Sequence, residues 1–267
     1  MLGRTLKMAF WVMYDHVGKL MVANLLWALA ILVPGGVAAS CMLSGNPSIQ
    51  VFVGAPLALF VAVVIFPVMS VGIAHMAKQL IERKDGALGD MFEGIRLYWR
   101  RAIGVGGILA FVLMCLTTSV WFYAAKLNDI APIAGYAISA IALWATVLAV
   151  LAGLYAYPAL VQKREGVVAT LKLSTLLVLA NPFLSIGLAI QVGAFGLIAL
   201  LLPPALLFLY GAVVMVVMSS AYELLARKYA ALEGSGDPSK AVRPVVDDAE
   251  DDYLNRGIRD ALFPWKG

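Results

Sequence analysis

Histidine and cysteine are nearly absent from this chain of 267 residues, with two of each. Cys41 and Cys115 lie far apart in apolar surroundings with no second ligand at metal-type spacing. A structural zinc, an iron–sulfur centre and a disulfide framework are therefore not what organises the fold. Charge is scarce as well, at 13% of residues, and no Asp or Glu falls inside any long apolar run. Ion-coupled transport usually turns on an ionisable group buried in the membrane, so that class has no visible residue to act through. No glycine-rich loop follows a strand-like segment, and no His, Cys and acid cluster has ligand spacing. Metal and nucleotide chemistry thus have no legible centre. No catalytic, cofactor-binding or metal residue is assigned, no cofactor is implied, and a non-enzymatic role is expected.

What is abundant is hydrophobic surface, 62% of residues, far above the share a water-soluble domain carries. The chain reads as all-α and polytopic, a membrane-embedded helical bundle. Its organising stretch runs from Lys78 to Arg101, the one strongly charged segment between long apolar runs. Within it Leu88, Met91, Phe92, Ile95, Tyr98, Trp99 and Ala102 recur at helical spacing opposite Asp90, Glu93, Arg96, Arg100 and Arg101. That pattern predicts an amphipathic helix lying at the headgroup level, with Asp90 as N-cap and Glu93 as its reciprocal partner.

Taken in order, interfacial helices are expected at about 4–16, 87–101 and 167–180, and spans at about 17–39, 51–77, 102–125, 132–161, 183–202 and 204–226. Each span is long enough for ~30 Å of hydrocarbon at 1.5 Å per residue. Pro34-Gly35-Gly36 is expected to mark the outer end of the first span, and Pro67 to kink the second. Residues 183–222 carry no charge and, as one helix, would overshoot a bilayer, so they are expected to fold back at Pro203-Pro204. Small residues at four-residue spacing, Ala145, Ala149 and Gly153 and again Ser185, Ala189 and Gly193, predict close helix packing. Ala38-Ala39-Ser40-Cys41 has the outline of a lipoprotein cleavage site, but Asp15 interrupts the leader and the first span is expected to be kept.

Near the predicted helix ends the basic residues fall almost wholly on one side. Arg4, Lys7, Lys19, Lys78, Arg83, Lys84, Arg96, Arg100, Arg101, Lys163, Arg164, Lys172, Arg227 and Lys228 stand against Lys126 alone. The positive-inside rule then puts both termini in the cytoplasm and the protein in the bacterial inner (cytoplasmic) membrane. Nucleic-acid binding is not expected, because no basic helix or aromatic stacking module accompanies the charge. The arrangement also reads as three parallel repeats of an interfacial helix plus a transmembrane hairpin, echoed by Lys84-Asp85-Gly86 and Arg164-Glu165-Gly166. Past Tyr229 the chain turns polar. Residues 230–252 read as an acidic flexible linker and 253–267 as an amphipathic end, with Tyr253, Ile258, Leu262, Phe263 and Trp265 expected to dock on this protein, the bilayer or a partner.

Several short motifs together resemble the YesL-type bacterial integral membrane proteins, a family without assigned function. They are Phe10 and Tyr14 before Gly18, Asn24-Leu25-Leu26-Trp27, Ala74 to Ala77 with the basic loop after it, Met91-Phe92, Tyr157-Pro158-Ala159-Leu160-Val161, Asn181-Pro182 and the ending Arg259-Asp260-Ala261-Leu262-Phe263-Pro264-Trp265. Pro34-Gly35-Gly36 departs from the Pro-x-x-Thr-x-Gly of that family. The resemblance implies an accessory or scaffold role beside a carbohydrate uptake system, with a transporter component as membrane partner and no catalytic residues to carry over. Two alternatives stay open. One is a small solute carrier or permeation pathway, using the intramembrane polar positions Asn24, His75, Asn181 and Gln191. The other is an interfacial lipid-active enzyme built on His75, His16 or Glu223. Arg96, Arg100 and Arg101 are candidate contacts for lipid headgroups or an acidic partner.

Overall fold

The computed structural model describes residues 1–126, 132–163, 166–235 and 252–256, and among these every regular element is helical. The helices are α1 (Leu2–Asp15), α2 (Val17–Met42), α3 (Pro47–Glu82), α4 (Leu88–Ala125), α5 (Pro132–Lys163), α6 (Val167–Ala180), α7 (Pro182–Leu201), α8 (Pro203–Ala205, Leu206–Tyr210 and Gly211–Ser235 in succession) and the short α9 (Asp252–Asn255). Six of them, α2, α3, α4, α5, α7 and α8, are long and apolar enough to cross a bilayer, as expected of a multi-pass helical membrane bundle.

Prolines shape these helices without ending them. α2 runs through Pro34-Gly35-Gly36 to Met42, although those residues were expected to close the span. In hydrocarbon no water competes for backbone groups, so keeping the remaining helical bonds outweighs the one that Pro34 removes. In α3 the expected kink at Pro67 takes the form of a π turn, Val61–Ile65, closed by the Phe66 N–H bonding to Val61 O. A second π turn, Gln50–Gly54, precedes Pro56, closed by Ala55 N–H to Gln50 O. Proline's ring would strike the carbonyl four residues back; a wider turn just ahead of it moves that carbonyl aside. Between α2 and α3, Gly45 supplies a positive φ of 70° and Asn46 Oδ1 caps the next helix by accepting from Ser48 N–H (3.0 Å).

The segment predicted as a central interfacial helix is not separate from the span after it. α4 is one helix of 38 residues, ~57 Å long at 1.5 Å per residue. Its N-cap is Ala87, one turn earlier than expected. Asp90 is thus the reciprocal partner, accepting from Ala87 N–H at 2.7 Å. The apolar face splits: Met91, Tyr98 and Ala102 are buried in the bundle while Phe92 and Trp99 stay exposed. α6 turns its hydroxyls inward, with Thr170 and Ser174 buried and bonded back to Gly166 O and Thr170 O, and leaves Val168, Leu176 and Leu179 exposed. Lys172 is exposed on the same face, between Val168 and Leu176, so the outward side is apolar around one cation.

α3 and α4 approach each other closely, and glycine permits it. A Cβ at Gly94 would stand 2.4 Å from His75 Cβ, one at Gly106 2.2 Å from Pro67 Cγ, and one at Gly72 2.8 Å from Ile95 Cγ1. The glycines singled out by spacing are elsewhere: a Cβ at Gly193 would meet nothing within 4 Å, and at Gly153 only Leu109 at 3.8 Å. Charged loops gather at one end of the bundle. Lys19 at the start of α2 pairs with Asp85 after α3 (2.9 Å), and α1 packs on the last segment of α8 and on α9. Lys84, with φ 56°, supplies the left-handed residue just past the end of α3.

Candidate functional site

Above the α3–α4 seam, in the half of the bundle remote from the charged end, the helices part around a cleft of about 700 Å³. Its floor is aromatic. Trp27 meets Phe66 edge-on at 6.1 Å between ring centroids, and Phe66 meets Tyr157 at 6.2 Å. The Trp27 indole N–H donates to Ser70 Oγ (3.2 Å) beneath, which fixes the ring and leaves its carbon surface to the cleft. The walls carry small residues at helical spacing on four helices: Gly35 and Ala38 on α2, Ala58 and Ala62 on α3, Gly106 and Ala110 on α4, Ala149 and Gly153 on α5. Leu113, Val192, Tyr210, Val214 and Met215 are among the other residues lining it. Ala149 and Gly153, expected to bring helices together, thus face open space.

The polar positions named from sequence do not meet there. Asn24 is fully buried on α2 and serves α8. Its Nδ2 donates to Leu206 O (3.0 Å) and Leu207 O (2.8 Å), and its Oδ1 accepts from Ala212 N–H (2.8 Å). Those backbone groups belong to or adjoin the π turn Leu206–Tyr210, whose ladder is opened after Pro203-Pro204. One amide side chain thus closes the gap in another helix. Gly211 makes room, since a Cβ there would stand 3.0 Å from Asn24 Oδ1.

Asn181 sits at the α6–α7 junction, donating to Tyr229 Oη (2.8 Å) and accepting from Lys228 Nζ (3.2 Å). His75 is buried against Tyr98 (5.8 Å between rings) and receives Gln79 Nε2 at 3.4 Å. Gln191 is half-buried on α7. Arg96, Arg100 and Arg101 are exposed on α4 near the charged end, with Arg100 over the Trp99 ring at 5.1 Å.

Two further contacts could not be read from spacing. Tyr155 Oη and Ser185 Oγ share a buried bond of 3.2 Å between α5 and α7, and Tyr253 reaches from α9 to donate to Leu80 O (3.4 Å). Tyr253 and Leu254 are buried, Lys7 Nζ donates to Leu254 O, and Arg256 pairs with Asp15 while lying 5.4 Å from the Trp11 ring centroid. The described part of the tail therefore docks on α1 and α3. Ile258, Leu262, Phe263 and Trp265 lie outside the described residues, as does most of the expected linker; α8 itself continues to Ser235.

At the charged end the electrostatics are local. Lys19 holds the Asp85 carboxyl below its ordinary range, first through their hydrogen bond and then through its charge. Burial, reinforced by Lys19, lowers His16 from its usual value near 6.5. Among the described residues no group of three or more His, Cys, Asp or Glu could hold a metal ion. No family model, curated protein or solved structure matches this chain.

Proposed function

We propose that this chain is a non-enzymatic accessory or scaffold subunit of the bacterial inner membrane, with both termini cytoplasmic, bound beside a membrane partner of the transporter class. The observation that carries the reading is how four of the polar side chains in the spans are spent. Asn24, Ser70, Tyr155 and Ser185 all bond across helices, which is how polar groups act when they hold a bundle together rather than line a path. Glu223 is taken by Arg227 (2.8 Å), which weighs against the lipid-active enzyme. The resemblance to YesL-type proteins gives the partner class, a carbohydrate uptake component.

Extraction in mild detergent followed by affinity isolation tests this. The full chain is expected to bring down one membrane protein in fixed ratio; a chain that runs alone, with and without residues 253–267, rules the reading out. A carrier is the second reading, restricted to amphiphilic solutes by the apolar cleft. Solute flux in proteoliposomes that survives both Asn24→Leu and Gln191→Leu removes those residues from any path.

A further inference from the structure

We infer that the cleft is a binding site for one hydrocarbon chain of a membrane phospholipid, drawn from the leaflet remote from the charged end. The inference does not rest on the accessory reading. Three observations carry it together. The lining is predominantly apolar, with Tyr157 and Tyr210 its hydroxyl-bearing side chains, and the Trp27 N–H is already committed to Ser70 and the Asn24 amide to α8, so water entering would find few partners. The volume, about 700 Å³, falls in the roughly 300–1,000 Å³ range of small-molecule sites. The cleft is open to the surroundings of the bundle: Ala58, Ala62 and Val150 line it and are exposed.

The chemistry of the occupant follows from its surroundings. At this depth the available material is hydrocarbon, and walls with nothing against them forfeit their dispersion contacts. Small residues on four helices keep the width of the recess without filling it. The aromatic floor of Trp27, Phe66 and Tyr157 stops a chain at mid-depth. A headgroup therefore stays at the remote interface while its acyl chain runs inward to the floor.

Trp27 is the probe. The full chain is reconstituted in vesicles of phosphatidylethanolamine and phosphatidylglycerol, with or without bromine at mid-chain, and Trp27 emission is taken as the difference between wild type and Trp27→Phe. Trp121 and Trp144, 60% and 73% exposed, are quenched in either protein and report that brominated lipid surrounds the bundle. The inference requires that Trp27 lose most of its emission in brominated vesicles, and that Ala110→Phe and Ala149→Phe, which fill the cleft, protect it. Native mass spectrometry of the same proteins should show a retained phospholipid that both fillings remove. Trp27 unquenched while Trp121 and Trp144 are quenched overturns the inference, whether a protein helix or collapse of the walls fills the space. So does a retained free fatty acid or detergent in place of phospholipid. Variants that elute as folded single species but quench like wild type overturn it equally.

Discussion

Asn24 works at a scale where one side chain does what a helix cannot do for itself. The π turn in α8 releases two carbonyls and an N–H within reach of a single amide, and Asn24 alone has both donor and acceptor to satisfy them. Asn24→Ala leaves these groups unpaired and is expected to cost about 1–3 kcal/mol, read as a lower thermal midpoint in detergent. Asn24→Asp should be worse than Ala at neutral pH, because a carboxylate cannot donate to either carbonyl and places a charge in the core; equal midpoints for the two would show that the amide does not bridge the helices. His16 gives the pH dependence. Its native value lies below the ordinary 6.5 through burial and Lys19, so between those two values the unfolded chain binds more protons. Stability is complete above about 6.5 and falls as pH drops through that window. Replacing His16 with Gln should remove this part of the slope of thermal midpoint against pH.

At the scale of elements, the α3–α4 seam fixes the bundle. Gly94 and Gly106 lie against a Cβ and a proline ring, neither of which can swing away as the end of a long side chain could. Gly106→Leu is therefore expected to exceed the usual 1–3 kcal/mol of overpacking and to lose the monodisperse species on size exclusion. Gly193→Ala, with nothing within 4 Å, should cost nothing and gain up to about 1 kcal/mol from helix propensity. Comparable losses from both would mean that close packing at the seam does not set the cost, since helix propensity favours both replacements. Sequence spacing found small residues but could not tell these cases apart. A four-residue repeat places residues on one face of a helix; whether that face meets a neighbouring helix at close range, as at Gly94, or a cleft, as at Gly153, depends on where the neighbouring helix passes.

For the whole molecule the prediction is topological. In a variant with Cys41 and Cys115 replaced by Ala, a cysteine at Ser44 should react with a membrane-impermeant maleimide on intact cells. A cysteine at Lys84 should react only after the membrane is opened. Both reacting from outside would break the alternation of the six spans, and reaction of Lys84 alone would invert the protein in the membrane.

The run of apolar segments, the turn at Pro203 and the one-sided charge were settled by the amino-acid order alone. Transfer of side chains from water to lipid is a property of composition along roughly 20 residues. Helix continuity through Pro34, the union of the central interfacial segment with its span, the service of Asn24 to α8 and the existence of the cleft were decided only in three dimensions. Each depends on which surface lies a few ångströms away, and residues 188 positions apart, as Asn24 and Ala212 are, become neighbours only once the helices have packed.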